Sequence, residues 1–156
     1  MKYLVIIAAV LFLSSCDCGN NGVGFDYPED TFIFGGFAGE CSGEKCIVTY
    51  MLQNGKLYED INQAYPDGTT NNINWKRLDD DKYQMVKSVS DFFPSELFNE
   101  EAVIGKPDYY DQGGLIVGKV RDGFLHIWRF DTLDENIPEY LREYNDYIGS
   151  FVILLR

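Results

Sequence analysis

The chain predicts a two-layer α+β fold, in which an antiparallel sheet of two hairpins carries two helices on one face. Three observations lead there. Period-two alternation flanks Asn54-Gly55 and again Asp122-Gly123, and helical periodicity follows both Asp79 and Pro138. The order is therefore hairpin, helix, hairpin, helix, and both apolar helix stripes need a common surface to bury against.

Residues 31–37 and 45–53 are rich in aromatic and β-branched types and read as strands. The second places Cys46, Val48, Tyr50 and Leu52 on one face against Ile47, Thr49, Met51 and Gln53 on the other. Asn54-Gly55 suits the positive φ angles of a tight turn, so 56–59 returns as the second arm of a hairpin. Residues 60–78 contain Pro66-Asp67-Gly68 and several Asn and Thr without periodicity, which predicts a long surface loop.

From Asp79 the spacing turns helical, with Tyr83, Val86, Val89 and Phe93 on one stripe, and Pro94 ends it. Asp79, Asp80 and Asp81 occupy the first turn, where the helix dipole favours negative charge. Residues 114–120 and 124–131 form the second hairpin around Arg121-Asp122-Gly123, with Phe124, His126, Trp128 and Phe130 on one face. Pro138 opens the last helix, whose stripe is Ile137, Leu141, Tyr144, Ile148, Phe151 and Leu155.

Ahead of this domain, Lys2 precedes an apolar run over 3–13 that closes on Leu13-Ser14-Ser15-Cys16, the layout of a secretory signal. It is too short to span a bilayer. The segment resembles the bacterial lipoprotein signal, in which the cysteine is acylated and becomes the new N-terminus. That resemblance implies a signal peptide over 1–15, lipid such as palmitate on Cys16, and residence in the bacterial cell envelope, on the periplasmic side or the surface. Each buried methylene of an attached chain contributes roughly 0.8 kcal/mol, so two or three chains hold a domain on the membrane durably. Residues 16–30, with Gly and Asn abundant over 17–24, read as a flexible tether. Residues 31–156 are expected to form a single domain.

The formal net charge is −12, and losing 1–15 removes only Lys2, leaving 12 basic against 25 acidic residues and a charge of −13. Such a balance argues against nucleic acid and against electrostatic adhesion to anionic lipid. With Cys16 assigned to lipid, Cys41 and Cys46 are the expected disulfide in an oxidising compartment, and Cys18 is left over. Glu40, Cys41, Glu44 and Cys46 mix hard and soft ligands without a nearby histidine, so no metal site is expected.

His126 is the only histidine and sits among aromatic strand residues, with no acid and nucleophile at a recognisable spacing. No catalytic set and no cofactor is expected on this basis. Pro107-Asp108-Tyr109-Tyr110-Asp111-Gln112-Gly113-Gly114 is the densest cluster of unusual types. Its aspartates would serve a turn by accepting from backbone N–H groups. Alternatives are an acidic-site hydrolase using Asp108 and Asp111, or a structural calcium site. Tyr58, Tyr65, Trp75, Tyr109 and Tyr110 fall in loops or at loop edges, where rigid amphipathic rings serve as binding anchors.

Gly35-Gly36-Phe37-Ala38-Gly39, then Phe92-Phe93-Pro94 with Leu97, Pro107-Asp108, and Ile137-Pro138 with Leu141 occur in an order that resembles the emfourin-like family. These are small α+β proteins whose founding member inhibits a thermolysin-like metalloprotease. The resemblance runs from Phe34 to Leu155 and implies a protein partner and protease inhibition, with the acidic surface and the Gly35 to Gly39 bend as the first places to look for the contact. The chain departs from the family in its lipid signal, in Cys41 and Cys46, and in the loop over 60–78. It also looks like a group of bacterial lipoproteins that share Asp-Gln-Gly-Gly and Trp-Arg-x-Asp, here 111–114 and 128–131. The candidate binding residues are therefore Gly35, Gly36, Phe37, Asp108, Tyr109, Tyr110 and Asp111.

Overall fold

The computed structural model describes residues 27–39, 41, 46–64 and 72–156. Cys16, Cys18, the signal, the tether up to residue 26 and Tyr65 lie outside the described residues. Seven strands, β1 (Phe32–Phe37), β2 (Ile47–Gln53), β3 (Lys56–Asp60), β4 (Trp75–Arg77), β5 (Val103–Ile104), β6 (Gly114–Arg121) and β7 (Phe124–Phe130), form one sheet in the order β4-β3-β2-β1-β6-β7-β5. All neighbours are antiparallel except β5 and β7. The two helices are α1 (Asp80–Val86) and α2 (Glu139–Leu155). The fold class is α+β as expected, with a wider sheet than two separate hairpins.

Each expected hairpin turn is present. Asn54 and Gly55 have φ of 51° and 67°, and Asp122 and Gly123 have 54° and 78°, the pair of left-handed residues that a twisted two-residue turn requires. What joins the hairpins is β1, which pairs with β2 along one edge and β6 along the other. Its register places Phe32 and Phe34 beside Leu52, Tyr50 and Val117, on the face where Val86, Leu141, Ile148 and Val152 complete one buried cluster. The opposite face carries Ile33, Met51, Ile116 and Val120, which are also buried.

The first helix is shorter than the periodicity suggests. After Val86 the chain continues in tighter turns, with Val89 N–H donating to the Val86 carbonyl and Asp91 N–H to that of Ser88. Ser88, Val89 and Ser90 explain the change, because serines compete for backbone bonds and a β-branched neighbour crowds the preceding turn. The stripe nevertheless stays inward. Val86 and Val89 are fully buried, and the Phe93 ring lies 5.3 to 6.3 Å from those of Phe98, Trp128, Phe32 and Tyr144.

Helix α2 follows its expected span, but Val152 rather than Phe151 takes the buried position, and Asn145 joins the inward side. The segment over 60–78 is not wholly loop. Its last part pairs as β4 with β3, and the Asp60 carboxylate accepts from the N–H groups of Asn62, Ala64 and Asn74. Tyr58 and Trp75 are accordingly half-buried strand residues rather than exposed loop rings. The Cys41–Cys46 disulfide is present and closes the connection from β1 to β2, beside the Ala38 N–H bond to the Cys46 carbonyl. So short a loop places its stabilisation at about 2 kcal/mol.

The two glycines of β1 should respond differently to a methyl group. A Cβ on Gly35 would run into the Val48 carbonyl and the backbone of Thr49, whereas one on Gly36 meets Val152 at 3.4 Å and the Gly114 carbonyl at 3.5 Å. Gly35→Ala is expected to lose about 2 kcal/mol or more, and Gly36→Ala to stay within about 1 kcal/mol of the parent, in urea unfolding followed by tryptophan fluorescence.

Candidate functional site

The end of the sheet where β1 finishes and β6 begins gathers most of the residues singled out by sequence. Phe37 lies directly across from Gly114, so the 107–113 turn delivers the chain into β6 beside the end of β1. A Cβ on Gly39 would strike the Asp108 carboxylate, and one on Gly113 would strike the Phe37 carbonyl. Two segments about seventy positions apart in the chain therefore touch. Gly35, Gly36 and Phe37 lie in the strand expected over 31–37, and the chain bends only at Gly39. They are the buried second half of β1, regular strand held between β2 and β6, and the glycines serve close packing of neighbouring backbone and of α2.

The turn is wound tightly, with Asp108, Asp111 and Gly113 at φ of 64°, 60° and 74°. Non-glycine residues rarely hold this conformation, and aspartate tolerates it best when its side chain bonds locally. Asp108 does so. Its N–H donates to the Gly113 carbonyl at 2.8 Å, and its carboxylate accepts from Gly113 N–H at 3.0 Å. The Gln112 Oε1 accepts from Tyr110 N–H, and its amide donates to the Lys106 carbonyl.

Asp131, at the end of β7, holds this turn to the rest of the fold. Its carboxylate accepts from Lys106 N–H at 2.9 Å, Gln112 Nε2 at 3.2 Å, Leu133 N–H at 2.9 Å and Asn136 Nδ2 at 2.7 Å. Its carbonyl accepts from Asn145 Nδ2 at 3.1 Å, linking α2 to the same point. Burial alone would raise the pKa of this fully buried carboxyl, but the bonds from Leu133, Asn136, Gln112 and Lys106 outweigh it and hold the group below its ordinary value. The Asp-Gln-Gly-Gly and Trp-Arg-x-Asp strings thus meet physically through Gln112 and Asp131.

Sequence reasoning gave no role to Asp131, Gln112 or Asn145. Asn145 left a trace, since it is a polar residue on the inward stripe of α2. Gln112 and Asp131 lie within the Asp-Gln-Gly-Gly and Trp-Arg-x-Asp strings, which marked them without assigning a role.

Outward from this frame, Tyr109 and Tyr110 are 67% and 69% exposed, with their rings perpendicular at 4.7 Å. The Lys106 ammonium lies 5.6 Å from the centre of the Tyr109 ring. On the helix side, a cleft of about 430 Å³ opens between α2 and the strand ends, floored by Gly36, Gly114 and Gly149 and edged by Gln112, Asn145 and Arg156. His126 is remote in register, at the other end of β7, where it is exposed and stacks on Trp128. Among the described residues, no three His, Cys, Asp or Glu side chains are grouped so that they could hold one metal ion. No helix among them is long and apolar enough to cross a membrane.

No protein-family model matches the chain, and no curated protein matches it. The chemistry of this end of the sheet is therefore read from its geometry. The Asp108 and Asp131 carboxylates are occupied in shaping backbone, and what they shape is a stiff turn that presents two aromatic rings.

Asp131→Asn should be among the most destabilising polar substitutions, costing about 2–4 kcal/mol because several buried donors lose a charged acceptor. The native carboxyl has a pKa below the ordinary 3.8, so its contribution is complete above that pH and is lost as pH falls through the lower native value. Urea unfolding between pH 6 and about pH 2 should show a smaller acid-side decline in the variant than in the parent.

Proposed function

We propose that this protein is a lipid-anchored, extracytoplasmic domain that binds a protein partner through the Tyr109–Tyr110 turn, and that the partner is a secreted protease which it inhibits. The observation that carries the reading is the exposed aromatic pair on a turn tied by Asp108, Gln112 and Asp131. A turn fixed before docking loses little conformational entropy on binding, and tyrosines contribute large contact area with few rotatable bonds. The neighbouring cleft beside Gly36 and Gly149 gives the partner a second, recessed contact. The resemblance of the Gly-Gly-Phe-Ala-Gly string and its companions to the emfourin-like family supports inhibition as the form that binding takes.

The anchor rests on Leu13-Ser14-Ser15-Cys16. With a charge of −13 after signal removal, the domain is repelled by anionic headgroups, so the acyl chains alone hold it at the envelope. Cys16→Ser should abolish incorporation of an alkyne-labelled palmitate and release the chain from the membrane fraction. Continued labelling of that variant would reject the anchor assignment.

The binding reading is tested with the mature lipoprotein in detergent, titrated into a thermolysin-like secreted metalloprotease that is assayed on a fluorogenic peptide. Near-stoichiometric inhibition is expected, weakened at least about tenfold by Tyr109→Ala with Tyr110→Ala while the melting temperature stays within about 2 °C of the parent. Unchanged inhibition by the double variant would remove the turn from the interface. Absence of inhibition would remove this class of protease as the partner.

A further inference from the structure

A second surface lies on the outer side of α2, away from the turn. Tyr140, Glu143, Tyr144 and Tyr147 of α2 form one wall and floor of a groove of about 390 Å³, and Phe92 and Pro94 form the other wall. Phe92 is 68% exposed, a large apolar ring left in solvent although its edge packs on Tyr147 at 5.3 Å. The walls are fixed. The Tyr147 hydroxyl donates to the Ser88 carbonyl at 2.9 Å, and that of Tyr140 donates to the Glu100 carboxylate at 2.6 Å. At the floor, Tyr144 is only 6% exposed and its buried hydroxyl has no hydrogen-bond partner.

The electrostatics of the groove point one way. Glu143 lines it, Glu100 is bonded to its Tyr140 wall, and among the described residues no lysine or arginine lines it. Burial first, then the bond to Glu100 and the charges of Glu100 and Glu96, push the Tyr140 pKa well above its ordinary value. Aromatic faces attract cations, and a carboxylate at the rim adds a charged acceptor. Arginine matches both, because its planar guanidinium stacks on rings and bonds carboxylates while its three-carbon stem covers apolar surface.

We propose that this groove binds an arginine side chain presented by an extended segment of a protein partner. The proposal shares with the previous reading only the premise that the protein binds a protein. It uses a different surface, so each stands or falls separately. The guanidinium stacks on the exposed Phe92 ring, Glu143 accepts from it, and Pro94 contacts the adjoining backbone. An acidic protein meeting a basic segment also associates faster at low salt.

The probe is acetyl-Gly-Pro-Arg-Pro-Gly-amide, compared with the same peptide carrying citrulline, which keeps the shape of arginine but not its charge. Both are titrated into the isotopically labelled mature lipoprotein and followed by NMR. Shifts are expected at Phe92, Tyr140 and Tyr147, with the arginine peptide bound about fivefold or more tightly than its citrulline twin and weakened by added salt. Glu143→Gln should weaken arginine binding by about threefold to fivefold, and Phe92→Ser, at an exposed position, should remove it without changing the melting temperature. Equal binding of the two peptides, shifts confined to Tyr109 and Tyr110, or no shift at millimolar peptide would overturn the proposal. The protease titration with the tyrosine variants reads the other surface, and its result does not depend on this one.

Discussion

A single six-residue strand sets the conditions for everything else in this fold. β1 is bonded along both edges and buried on both faces, so it can hold only residues that pack closely on every side. Phe32 and Phe34 fill the face toward the helices and Ile33 fills the opposite one, while Gly35 makes room for the Val48 carbonyl. Without that close approach the two hairpins would be independent, and an isolated hairpin is marginal in water. With it they become one sheet, broad enough for α2 to lie across β1 and β6 and for α1 to lie against β3.

The same placement of β1 organises the site. Because Phe37 lies opposite Gly114, the chain entering β6 must turn beside the end of β1, and the turn is built from residues that accept left-handed backbone. Asp131 then carries the cost of a buried charge. Its four donors come from the segment after β5, from the turn, and from the chain that follows β7. A buried carboxylate is tolerable only when its lone pairs are satisfied, and here their satisfaction fixes three chain segments at one point. Tyr109 and Tyr110 inherit that rigidity.

The two outward surfaces have contrasting chemistry. The turn offers an aromatic pair next to a cleft floored by glycine, and the α2 groove offers aromatic walls with a carboxylate rim.

Local chemistry was enough to read several parts of this protein directly. Asn54-Gly55 and Asp122-Gly123 dictate two-residue turns, alternation in β2 and β7 dictates which residues share a face, and the stripe from Leu141 to Leu155 dictates α2. Cys41 and Cys46 are near enough in sequence to pair, and they do. Other features arise only when distant segments meet. β4 and β5 are three and two residues long, too short to show a period, and exist because β3 and β7 offer them an edge. The run from Gly35 to Gly39 suggests a bend when read alone, since glycine signals conformational freedom, yet the strand continues through Phe37 and the chain bends only at Gly39. At Gly35 the missing side chain matters instead, because the Val48 carbonyl and the Thr49 backbone occupy the space a Cβ would need. Asp131 is similar, an ordinary strand-end aspartate by sequence, whose role is set by Lys106, Gln112 and Asn136 arriving from elsewhere in the chain. The sequence alone determined periodicity, turns and the cysteine pair, which are local; the tertiary structure decided register, closure of the sheet and the partners of each buried polar group, which are properties of segments in contact.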